Sequence, residues 1–178
     1  MKPLLILFTV ASVVSSLQST AQEFPKGWVM YLQATQGMTT NFTSVPDAFT
    51  GSVQLVPQVT VVPNMLRLSA TAALAYNNKK LFGLYGPGLH VKLADLHISI
   101  FGSPQSFANL QLQLQHLWGS EKQKMAGGGL HAELGQLLML GGTVYRDYNL
   151  NNWWFQTGVG FNLLFKKKRT TPDDPFNP

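Results

Sequence analysis

Beyond an apolar leading segment, the sequence alternates apolar residues with polar or small ones at a period of two, from one end to the other. In the stretch 66–76, one side collects Leu66, Leu68, Ala70, Ala72, Leu74 and Tyr76, the other Arg67, Ser69, Thr71, Ala73 and Ala75. Leu110, Leu112 and Leu114 alternate with Gln111, Gln113 and Gln115, and Val53, Leu55, Val59 and Val61 with Gln54, Gln58 and Thr60. Leu130, Ala132 and Leu134 alternate with His131, Glu133 and Gly135. Successive side chains of a strand point to opposite faces, whereas a helix groups residues three and four apart. These segments therefore read as strands.

Their length narrows the class further. Strands are expected at about 28–37, 51–62, 65–76, 81–92, 107–118, 126–134, 137–148 and 154–165. A tilted strand needs about 9–11 residues to cross a bilayer, whereas soluble strands average about 5–6. Charged residues make up 12% of the chain, and it has no cysteine; soluble domains carry roughly 25% charge. A disulfide scaffold and a zinc-thiolate site are thereby disfavoured. Long strands with Leu and Val on one face and amides on the other predict a barrel turned inside out, apolar toward lipid and polar within. Bacterial barrels have even strand numbers, so the short piece Leu96–Phe101, broken by Gly102-Ser103-Pro104, is set aside. Residues 93–106 then become a connection between the fourth and fifth strands. Met38–Thr50 is expected to be the one long external loop. Pro63-Asn64 and Gly135-Gln136 are expected as tight turns, and Pro57 as the site of a bulge.

Residues 1–21 read as a cleaved secretory signal peptide: Lys2, then the short apolar run from Leu4 to Val14, then Ser19-Thr20-Ala21. Residues 22–166 are assigned to the barrel, and 167–178 to a disordered periplasmic tail. Trp28, Trp118, Trp153 and Trp154, with Tyr31, Tyr145 and Tyr148, are expected at the membrane interfaces, where rings with a polar atom sit best.

The most specific segment is the last. From Trp154 to Phe165, Phe155, Val159, Phe161, Leu163 and Phe165 form one face, and Gln156, Gly158, Gly160 and Asn162 the other. It resembles the closing strand of bacterial outer-membrane β-barrels, in which alternating apolar residues end in an aromatic. Phe161, Leu163 and Phe165 would form the part that assembly machinery reads, although the chain continues past Phe165. The whole pattern resembles the small eight-stranded OmpA and OmpX class. That resemblance implies an all-β, closed, antiparallel up-and-down transmembrane barrel in the bacterial outer membrane. Its partners would be outer-membrane lipids, lipopolysaccharide and the barrel-assembly machinery, and the barrel would be a monomer. No single activity is implied, since the class includes passive envelope proteins, adhesins, solute conduits and lipid-modifying enzymes.

An eight-stranded interior is about filled by side chains. The expected polar interior comprises Arg67, Gln54, Gln58, Gln111, Gln113, Gln115, His90, His131 and Glu133, with Arg67 and Glu133 as a structural pair. His131 and Glu133 share a face and could serve as a base and its orienter, but no motif supplies a serine; Ser69 and Ser99 are merely available. His90, His97, His116 and His131 lack metal-ligand spacing. Gly127-Gly128-Gly129 lacks the context of a phosphate loop. The net charge of +5 draws on Lys166-Lys167-Lys168-Arg169, a terminal cluster suited to anionic headgroups and not a nucleic-acid face. The expected role is therefore a non-enzymatic structural or surface-interaction function in the envelope, without cofactor or metal. The alternatives are a lipid-modifying enzyme, a narrow conduit for apolar solutes and a soluble lipocalin-like barrel.

Overall fold

The computed structural model describes residues 27–42, 48–77, 79–100, 103–135 and 137–164, with side chains left out at 97–100 and 103–107. The expected signal peptide, Phe165, the basic cluster 166–169 and the tail lie outside the described residues. Eight strands follow one another: β1 (Trp28–Thr40), β2 (Ala48–Val62), β3 (Leu66–Asn77), β4 (Lys80–Ile100), β5 (Ser103–Gly119), β6 (Lys124–Leu134), β7 (Leu138–Asp147) and β8 (Asn152–Asn162). Each pairs antiparallel with the next, and β8 pairs with β1 to close the barrel. Closure leaves no edge along the wall, which is what makes a sheet with an apolar outer face tenable.

Parity sorts the side chains. Gln33, Gln54, Gln58, Arg67, Thr71, His90, Gln111, Gln113 and Glu133 are buried inside. Leu32, Val53, Leu55, Leu68, Leu74, Leu114, Leu130 and Phe161 are exposed on the outer wall. Among the described residues no helix is long and apolar enough to cross a membrane; that criterion does not address strands.

One end of the barrel, here the turn end, carries the Pro63–Met65 and Gly135–Leu137 turns and the outer ends of β1 and β8. Asn64 and Gly135 there adopt φ of 61° and 54°, the left-handed conformation that such turns demand. At the opposite, loop end, the Asp147 carboxylate accepts from the backbone N–H groups of Lys124, Asn149 and Leu150 at 3.3, 3.0 and 3.0 Å.

Three expectations need correction. Met38–Thr50 is not a long loop: Met38 pairs with Phe49 and Thr39 with Ala48, so the strands run well into it. Pro57 makes no bulge, because the register with β3 is the same at Leu55 and at Gln58, and the shift falls at Thr60/Val62. A proline removes one ladder donor without forcing a step in register. Residues 93–106 are not a simple connection either. β4 runs on to Ile100 and β5 starts at Ser103, so the two continue past the barrel wall as a hairpin. The strand total stays even because the Leu96–Ile100 piece prolongs β4.

Candidate functional site

The interior divides into layers by height. The turn-end half holds the ionic layer. Arg67, second residue of β3, reaches across the barrel to Glu133 near the end of β6, with Nη1–Oε2 at 2.8 Å and both side chains fully buried. The same Glu133 oxygen accepts from Gln111 Nε2 at 2.6 Å, and Gln111 also donates to Asn109 at 2.7 Å. Arg67 additionally donates to Gln58 at 3.4 Å. His90 Nε2 lies 3.1 Å from Ser69 Oγ, beside this group along the β3–β4 pair. Two hydrogen bonds to one oxygen of the buried carboxylate, one of them from a guanidinium, offset part of the cost of taking it out of water.

Above it lies an amide layer. Gln115 donates to Thr71 at 2.8 Å and accepts from Tyr145 Oη at 2.5 Å. Gln54 donates to Ser52 at 2.9 Å, whose hydroxyl is 2.7 Å from Thr35. Gln113 and His131 line, with Gln33, Met139 and Gly160, an enclosed cavity of about 10 Å³. That volume holds about one water molecule.

At the loop end the interior turns apolar. Phe82, Leu84, Leu117, Met125, Tyr145 and Trp154 form one buried cluster, with Trp154 edge-on to Phe82 at 6.1 Å. Trp154 is 2% exposed, which corrects its assignment to the interface: it shares parity with Gln156 and points inward. Tyr31 and Tyr145 are buried inside for the same reason. Trp28 and Trp118 are exposed on the outer wall, and Trp153 lies there with the Arg146 guanidinium 5.2 Å over its ring. Trp118 belongs to an outer cluster in which His116 stacks edge-on at 4.5 Å and bonds Tyr148 Oη at 2.8 Å.

The structure thus brings Arg67, Gln111 and Glu133 together, sets His131 across the β5–β6 ladder from Gln111 and beside the cavity with Gln113, and ties Gln115 to Thr71 and Tyr145 instead. His131 Nε2 has no hydrogen-bond partner among the described residues, and Ser69 pairs with His90 instead. Phe161 and Leu163 face outward. Sequence reasoning missed the Lys92–Asp95 pair, Nζ–Oδ1 2.7 Å and almost wholly buried at the base of the hairpin, because that region was assigned to a connection. It also missed the apolar plug, which parity would have revealed. Among the described residues no three His, Asp or Glu side chains converge as a metal site.

No family model matches the chain, and no curated protein does. Among solved structures it is similar to a barrel from the de novo design of transmembrane β-barrels, with a TM-score of 0.50 and 15% identity over 80% of this chain and 100% of that one. It also aligns with the KdgM porin in complex with disordered oligogalacturonate, at a TM-score of 0.30 and 9% identity over 75% of this chain and 98% of that one. The first likeness shows the fold: a closed eight-stranded antiparallel barrel.

Proposed function

We propose that the chain is a bacterial outer-membrane barrel with a non-enzymatic role in envelope structure or surface interaction. The observation that carries this reading is the inversion of the wall. Leu, Val and Phe side chains stay exposed outside while Arg67, Glu133 and the glutamines are buried within. Water would penalise such an outer surface on every strand, and hydrocarbon would not. Trp28 at the turn end and Tyr85, Trp118, Tyr148 and Trp153 toward the loop end bound the apolar band, as interfacial rings do. With the turn end toward the periplasm, exposed Lys79, Lys80, Lys122 and Lys124 face outward, where anionic lipopolysaccharide headgroups offer partners.

The closed interior supports a structural role over transport or catalysis. The loop-end plug blocks a through-path, and the His90–Ser69 pair is buried beneath it, away from any lipid substrate. Cell fractionation combined with an unboiled-versus-boiled gel shift tests the reading. An outer-membrane protein whose mobility changes on heating is the expected result. A periplasmic protein with no shift would leave the soluble lipocalin-like alternative.

A further inference from the structure

Among the described residues the outer wall is apolar nearly everywhere below its aromatic band, with one interruption. Gln36 on β1 and Thr157 on β8 face outward as direct cross-strand partners at the seam where the barrel closes. Both are exposed, and among the described residues neither side chain has a hydrogen-bond partner. Their neighbours in the same row are Gly51 on β2 and Gly142 on β7. Two adjoining depressions of about 520 and 440 Å³ share Gln36 and Thr157 in their lining; Gly142, Met38, Val144 and Phe155 line the larger, and Ala34 and Val159 the smaller.

Depth makes this placement informative. Thr157 lies four residues below Trp153 along β8, which at ~3.3 Å per residue and a tilt of roughly 40° is about 10 Å into the hydrocarbon. Lipid tails can fill the depressions but offer a carboxamide neither donor nor acceptor, and polar groups at that depth are costly when unmatched. Small residues beside a polar one are what let two membrane-embedded walls approach and hydrogen-bond.

Resting on the membrane reading above, we infer that the β1–β8 seam is a docking face for a second copy of this chain, joined by Gln36 across a two-fold axis. A primary amide carries both donor and acceptor, so two Gln36 side chains related by a two-fold complete each other with a pair of N–H···O bonds. Thr157 supplies a further hydroxyl beside them. No other partner needs to match this surface, because the surface matches itself. This proposal departs from the sequence-based expectation of a monomer.

The chain has no cysteine, so single-cysteine variants give a clean test. In isolated outer membranes under mild oxidation, Gln36→Cys and Thr157→Cys are expected to form disulfide-linked dimers. Leu114→Cys, also four residues below a girdle tryptophan but on the opposite wall, is expected not to. In density-matched detergent, sedimentation equilibrium should show a wild-type dimer, and Gln36→Leu should raise its dissociation constant about tenfold while keeping the heat shift of a folded barrel. A heat-shifted wild type that stays monomeric, or equal cross-linking from positions 36 and 114, would overturn the dimer alone. A wild type without the heat shift would overturn the membrane reading and the dimer with it.

Discussion

Glu133 receives Arg67 and Gln111 through one oxygen, so side chains from β3 and β5 depend on one carboxylate of β6. Removing either charge leaves the other buried and unmatched, which costs roughly 3–5 kcal/mol, whereas replacing both with apolar groups of similar volume is close to neutral. Glu133→Leu and Arg67→Met should each destabilise the folded barrel by about that amount. The double variant should recover most of it, as urea titrations in detergent micelles would show. A double variant as unstable as the sum of the singles would mean that the pair is not coupled. Parity made the inward direction of both residues legible in the sequence. Their meeting was not derivable from adjacency, because β3 and β6 are not neighbours and the contact crosses the interior. Trp154 and Tyr31 differ from their expected interface places for the opposite reason: parity, not residue type, sets their direction, and it points both inward.

Among the elements, six of the eight strands begin and end close to where alternation begins and ends. β4 and β5 do not, and the cause is physical. Register shifts at Lys92/Ala94 and Leu96/His97 add residues that flip the face, so the period of two dissolves where the hairpin continues. Glycines mark a second property that alternation does not show. A Cβ on Gly37 would lie 1.8 Å from the Phe155 carbonyl oxygen on β8, whereas one on Gly83 would meet nothing nearer than 3.9 Å. Backbone of β8 thus occupies the position a side chain at Gly37 would take. Gly37→Ala is therefore expected to cost roughly 2 kcal/mol or more, and Gly83→Ala within about 0.5 kcal/mol. The heat-shifted fraction after refolding, compared between the two variants, checks this; equal behaviour would argue against a backbone clash.

For the whole molecule, an ionic layer, an amide layer and an apolar plug stack inside a closed wall, and together they predict an insulator. Planar-bilayer recordings of the folded protein should show no stepwise conductance of porin size, and stable open steps would contradict the plug. Alternation and low charge foretold the barrel, but not that its interior would change character with height, since that depends on the stagger between strands. Closure itself has a kinetic consequence. Seven of the eight pairings join consecutive strands, whereas β1 and β8 meet across the chain, with Met30 and Asn162 132 positions apart. Non-local pairings form late because chain entropy must be lost before any contact compensates. Until then the sheet has two open edges able to accept foreign strands. Zipping the first strand to the last is thus the slow, committing event of biogenesis, and a variant weakened there would first show as delayed maturation and lost yield.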